Sequence, residues 1–320
     1  MMKKVMGFAL ALSLSVVIAP LKLYANEAIS VDVKTLENQV RELTHNRLDK
    51  VKEGSKPFIL SQNKITKTVV MLHGLSDSPG SMKEAAKIYY KHGYNVVTVL
   101  LRDHGLLPEH RHDLRAKIKL ADWRADIDQL MKIALQMSPD KKVALIGFSM
   151  GGALALDVVN RYEGQISSLV LLAPLLKMNR EWLAKSSRGL RHVKYSIFKG
   201  VPEAEHFYPD IALNQTYQAL TLTKHLKKHV TRKPRQSLLN MPKIMFLTDA
   251  DTTIENDYAL EMADRLEMGQ DQVIVYSNSE KISTTLHRDL PMRKINASGV
   301  ENPHIEDLLN NLDRFLSTID

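Results

Sequence analysis

KVALIGFSMGGALALDVV, residues 142–159, decides the fold. The apolar run up to Gly147 reads as a buried strand, and MGGALALDVVNRY reads as the helix that follows it. Between them the chain must turn sharply. Glycines on either side of Ser149 permit a strained turn that lifts the serine hydroxyl above the sheet edge, at the N-terminus of the next helix. The pattern is G-x-S-x-G, Gly147 to Gly151, in a strand–turn–helix setting. The same small residues also let a helix pack closely on a sheet, so the rest of the chain must decide whether the serine is chemical or structural.

Outward from this run, strands and helices alternate. TVVML (68–72) and NVVTVLL (95–101) read as strands before it, with SMKEAAKIYYKHG as the helix between them. LADWRADIDQLMKIALQ is a helix. SSLVLLAP (167–174), KIMFLT (243–248) and QVIVYS (272–277) read as later strands, and IENDYALEMADRL and HIEDLLNNLDRFLS as later helices. Strands that are apolar nearly throughout are covered on both faces. The expected class is therefore α/β, with a mostly parallel central sheet and helices on both faces. Residues 31–51 place Val33, Leu36, Val40 and Leu43 at three-four spacing, extended by Leu48 and Val51, which predicts an amphipathic helix. Residues 176–242 lack any buried-strand signal and read as a largely helical cap inserted between the fourth and fifth predicted strands. The expected division is a leader 1–25, an N-terminal helix 26–54, a core in two parts (55–175 and 243–320), and the cap 176–242.

The leader has a basic start (Lys3, Lys4), a short apolar stretch and a small residue, Ala25, at a cleavage position. That is the layout of a secretory signal peptide, and it predicts a periplasmic or secreted protein. With no cysteine in 320 residues, disulfides and thiolate catalysis are excluded. The net charge of +8 is concentrated: residues 176–242 carry 13 Lys and Arg against 4 Asp and Glu. A nucleic-acid surface is one reading of such a segment, but an exported chain seldom meets that partner. A cap whose aromatic and aliphatic side chains line a pocket fits better. Lys224, Lys227, Lys228, Arg232 and Lys233 then face an anionic lipid or an acidic substrate.

A serine hydroxyl is a poor nucleophile without a base, so an acid and a histidine should follow it in chain order. TDADTTI offers Asp251 and, as competitor, Asp249. The loop after the last predicted strand offers His287, and the start of the terminal helix offers His304; His287 is preferred because a helix would hold His304 in place. An acyl-transfer intermediate needs two donors for its oxyanion. The Met150 N–H at the helix start is one, and the Leu75 N–H after His73-Gly74 is the other. No cofactor or metal is required. His104, His110 and His112 cluster in sequence but match no zinc spacing, and His104 is expected to brace the loop beneath the site.

Taken in order, HGLSDSPGSM, GYNVVTVLLRDHG, ADW, GFSMGGALAL, LAP and TDADTTI resemble the α/β-hydrolase superfamily over roughly residues 57–318. The nearer resemblance is to its bacterial carboxylesterase, monoacylglycerol lipase and lysophospholipase-like members. That resemblance implies Ser149 as nucleophile, Asp251 as acid and Leu75 as first oxyanion donor. It implies a carboxylic ester substrate of lipid or fatty-acyl type. It departs from the common pattern at Leu286-His287, where a glycine often precedes the histidine, and at RDHG (102–105). A peptidase or amidase on the same fold is the alternative, because ester and amide cleavage share an acyl-enzyme. A non-catalytic binding protein is the third reading.

Overall fold

The apolar runs become the inner strands of one seven-stranded sheet. The computed structural model describes residues 32–45, 48–110, 117–179, 206–208, 211–278, 285–295 and 299–319. The signal-peptide reading lies outside them, as do residues 180–205 and 209–210 of the predicted cap. The strands are β1 (Ile59–Leu60), β2 (Thr68–Leu72), β3 (Asn95–Thr98), β4 (Val143–Phe148), β5 (Ile166–Leu172), β6 (Lys243–Thr248) and β7 (Val273–Tyr276). Their order is β1-β3-β2-β4-β5-β6-β7. All neighbours are parallel except β1, which runs antiparallel to β3. Every residue of β2, β3, β4 and β6 is buried. This is why these strands read as continuous apolar runs rather than as alternation.

The helices separate into two packing groups. α2 (Lys83–Lys91) packs with the terminal helix α8 (Ile305–Ile319). α3 (Leu120–Ala134), α4 (Met150–Arg161) and α5 (Leu213–Leu226) pack with one another, and α1 (Val33–His45) covers α3. The short α6 (Gln236–Leu239) leads into β6, and α7 (Asn256–Arg265) joins β6 to β7. A small antiparallel pair, β8 (Lys294–Ile295) with β9 (Val300–Glu301), precedes α8.

Three sequence expectations need correction. β1 is an extra edge strand too short to show a pattern. β3 stops at Thr98 rather than Leu101, because Leu101 N–H turns away to the His73 ring. The helix expected over 31–51 ends at His45: Val33, Leu36 and Val40 are buried as its stripe, but Val51 bridges Leu106 and packs with Leu100 instead. Within the predicted cap interval, α5 lies on the layer beside the sheet. Asn214 Nδ2 donates to Ile118 O at 2.5 Å, and Leu120 N donates to Gln218 Oε1 at 2.9 Å.

The sheet order reverses between β2 and β4, with β3 on one side and β5 on the other. Register aligns Leu72 with Gly147 and Phe148 with Leu172, so the carboxyl ends of β2, β4 and β5 lie side by side. A crevice at such a switch point is where open α/β sheets hold their ligands.

Candidate active site

Ser149 follows β4 directly and adopts φ 53°, ψ −117°. An L-residue pays of order 1–3 kcal/mol for such a conformation unless its surroundings fix it. They do: Ser149 N donates to Leu172 O at 2.9 Å, and Ser149 O accepts from Leu175 N at 2.8 Å and Gly152 N at 3.0 Å. The turn also requires α4 to approach β2 very closely. A Cβ on Gly151 would stand 2.0 Å from Leu72 O. Glycine is therefore demanded here by backbone proximity.

Two side chains far along the chain join this serine in a row. His287 Nε2 lies 2.8 Å from Ser149 Oγ, and His287 Nδ1 lies 2.5 Å from Asp251 Oδ2. With a carboxylate at Nδ1, the imidazole proton sits there, leaving Nε2 as an acceptor for the hydroxyl proton. Asp251 Oδ1 accepts from Thr253 N at 2.8 Å and Ile254 N at 3.0 Å, so the carboxylate is held at both oxygens. His287 opens a single 3-10 turn, His287–Asp289. Its loop is tied down through Thr285, whose carbonyl accepts from Thr248 Oγ1 and whose amide donates to Asn278 Oδ1. The Phe148 ring lies 5.3 Å from the His287 ring.

The competing residues sit elsewhere. Asp249 accepts from the amide and side chain of Asn278, which holds its carboxyl below the usual range. It thus builds the loop after β7. His304 is buried rather than at the surface, with its ring stacked on Tyr276 at 4.9 Å. His104 is also buried. Its Nδ1 contacts Arg102 O, and its ring abuts His73, Trp123 and Tyr208. Arg102 itself is held by Asp122 and Asp126 of α3, which accounts for the RDHG departure as an anchor for this loop. His112 lies outside the described residues, and no cluster of metal-ligating side chains occurs among the described residues.

The loop after β2 brings Gly74 against the serine: a Cβ there would stand 3.3 Å from Ser149 Cβ. His73 is fully buried and contacts Gly74 O through Nδ1 at 2.9 Å, while its Nε2 accepts from Leu101 N at 3.2 Å. An acceptor at Nε2 places the ring proton on Nδ1, which then donates to the carbonyl. Burial lowers the His73 pKa to about 4, so the ring is neutral at pH 7. The carbonyl it holds shares a peptide plane with the Leu75 N–H. Neither Leu75 N nor Met150 N donates to a partner among the described residues. Asp77 closes the loop: its Oδ2 accepts from Gly74 N at 3.2 Å and Ser81 Oγ at 2.7 Å, and burial raises its pKa to about 7. Sequence reasoning missed Asp77, Asn278 and Thr285. The only signal for Asp77 was a polar DSPGS turn, which looks the same when it is solvated.

Residues 63–280 match the family described as serine aminopeptidase, S33 (Hydrolase_4). A thermostable monoacylglycerol lipase from Bacillus sp. strain H-257 is 30% identical over 112 residues, covering 35% of this chain and 42% of that protein. Phospholipase YtpA from Bacillus subtilis is 29% identical over 135 residues, covering 40% and 49%. The chain thus spans less than half the length of the curated relatives it matches. A solved structure titled for LipS and LipT, two metagenome-derived lipolytic enzymes, superimposes with a TM-score of 0.63 at 19% identity, covering 84% of this chain and 100% of that one. Monoacylglycerol lipase from Paleococcus ferrophilus gives 0.61 at 14% identity, covering 83% and 100%. At these identities the structural likeness shows the α/β-hydrolase fold.

Proposed function

The chain belongs to the serine aminopeptidase S33 family of α/β hydrolases, and on that premise we propose that it cleaves carboxylic esters of lipid or fatty-acyl type through Ser149, His287 and Asp251. The observation that carries the proposal is the unbroken relay from Ser149 Oγ to His287 Nε2, and from His287 Nδ1 to Asp251. His287 takes the hydroxyl proton as Ser149 attacks the acyl carbon. Asp251 holds the ring orientation and offsets the imidazolium charge. The Leu75 and Met150 amides receive the oxyanion, with the positive end of α4 behind Met150. His287 then gives its proton to the leaving alcohol. Water then attacks the acyl carbon as it loses a proton to His287, and the acid leaves as His287 returns that proton to Ser149 Oγ. No cofactor takes part in these steps.

Ester preference is supported by the relatives named as a monoacylglycerol lipase and a phospholipase. The matching family carries an aminopeptidase description, which keeps amide cleavage as the second reading. Ser149→Ala is expected to lower turnover of p-nitrophenyl acyl esters by at least about 10³-fold. Retention of wild-type turnover would refute the mechanism. Turnover of aminoacyl p-nitroanilides above that of every ester across a series of acyl lengths would transfer the proposal to the peptidase reading.

A further inference from the structure

The loop that carries the Leu75 amide is gripped from two sides. From the sheet side, His73 holds the Gly74 carbonyl. From the other side comes a segment more than 120 residues away in sequence, His206–Tyr208. Tyr208 Oη donates to Leu75 O at 2.7 Å, and Tyr208 N donates to Ser76 O at 3.1 Å. Ser78 Oγ donates to His206 O at 3.0 Å. Phe207 places its ring 6.5 Å from Phe148, the residue before the serine. Phe207 and Tyr208 are both buried. A phenol that is buried and bonded to a carbonyl at 2.7 Å fixes that carbonyl's direction. The Leu75–Ser76 peptide plane follows, and with it the turn that presents the Leu75 N–H.

We propose that Tyr208 is a positioning residue for the oxyanion donor: its hydroxyl, delivered by the inserted segment, locks the Leu75 carbonyl so that the Leu75 N–H faces the acyl oxygen. The inference rests on the serine-hydrolase reading. It makes the insert a contributor to turnover. Residues 177–179, at the start of the insert, are tied to the acid loop in the same fashion. Met178 bridges Ile254, Asn179 N donates to Thr253 O, and Glu255 N donates to Lys177 O. Two stretches of the insert, residues 177–179 and 206–208, therefore join loops that carry the reacting groups.

The test compares the full-length wild type with Tyr208→Phe, which removes only the hydroxyl. Removing an oxyanion donor outright costs about 10²–10³-fold, so loosening one is expected to lower kcat on a p-nitrophenyl ester about tenfold. KM should stay within about twofold, because the acyl and alcohol groups still bind. The matching thionoester carries sulfur where the oxyanion forms and draws weakly on the hole. Its rate should fall less than that of the oxygen ester. An unchanged kcat overturns the proposal, as does an equal fall on both esters, which marks a general loss of structure. If Tyr208→Phe does not fold, Ser78→Ala, which releases the Ser78–His206 tie, takes its place with the same pattern expected at smaller size. If no ester is turned over by the wild type, the rate of Ser149 modification by a fluorophosphonate replaces kcat, since that reaction fills the same hole. Equal rates in wild type and variant then overturn the inference alone. No modification of the wild type overturns the hydrolase reading, and the inference with it.

Discussion

Asp77 and His73 lie in the same loop, both fully buried, and burial shifts them in opposite directions. The His73 pKa falls from 6.5 to about 4, so the unfolded chain binds the extra proton between those values. Its contribution to stability is complete above pH 6.5 and drains away as pH falls toward 4, worth about 3 kcal/mol. The Asp77 pKa rises from 3.8 to about 7, so here the folded chain holds the extra proton. That contribution is complete below pH 3.8 and is lost as pH rises toward 7, worth about 4 kcal/mol. The two slopes largely cancel across one pH window. Asp77→Asn keeps an oxygen to accept from Gly74 N–H and Ser81 Oγ and removes one of the slopes. The unfolding free energy of the variant minus that of wild type should climb by about 3 kcal/mol from pH 4 to 7. Urea titrations across that range measure it, and a flat difference would show that Asp77 does not titrate there. That Ser149, Asp251 and His287 come together was legible in the sequence, because strand–turn–helix order constrains where such residues fall. Asp77 and Tyr208 were not, since their significance lies in contacts that local pattern does not encode; Tyr208 meets Leu75 across 133 positions.

At the scale of elements, the β2–α4 contact shows how the sheet and its reactive turn depend on each other. Alanine at 151 would gain roughly 1 kcal/mol in helix propensity over glycine. Against that, its Cβ would stand 2.0 Å from Leu72 O, a backbone atom in a buried central strand with no room to move. The clash wins. Gly151→Ala is expected to cost about 3 kcal/mol or more, read as a fall in Tm of about 6 °C or more, since α4 must shift away from β2. Ser149 rides on that helix, so kcat should fall as well. A variant with wild-type Tm and kcat would mean that the backbone relaxes freely there. The inner strands could be read from sequence because burial on both faces makes each one apolar from end to end. β1 could not, being two half-buried residues at the sheet edge. The break after His45 was equally hidden, because Leu48 and Val51 continue the helical spacing although Val51 packs on Leu100 and Leu106.

For the whole molecule, the informative quantity is where the charge lies. The interval 176–242 has nine more basic than acidic residues, which exceeds the net +8 of the entire chain. Its described part shows how some of that charge is displayed. Lys224, Lys227, Lys228, Arg232 and Lys233 are all exposed around the C-terminal end of α5 and the π-helical turn Lys227–Thr231 that continues it. Cations there complement the helix dipole, which gives them a structural purpose of their own. They also form a basic surface beside the C-terminal half of α4, where His225 meets Asp157, and each basic residue near an anionic bilayer adds about 1 kcal/mol of attraction. If the substrate is presented in such a bilayer, the chain should sediment with vesicles containing phosphatidylglycerol and not with pure phosphatidylcholine. Raising salt from about 0.05 to 0.5 M should release it, because the screening length then falls to a few ångströms. Lys227→Glu combined with Lys228→Glu should weaken vesicle binding by at least about tenfold while leaving turnover of a soluble ester unchanged. Equal binding to neutral and anionic vesicles, or binding indifferent to salt, would assign these lysines to helix termination alone.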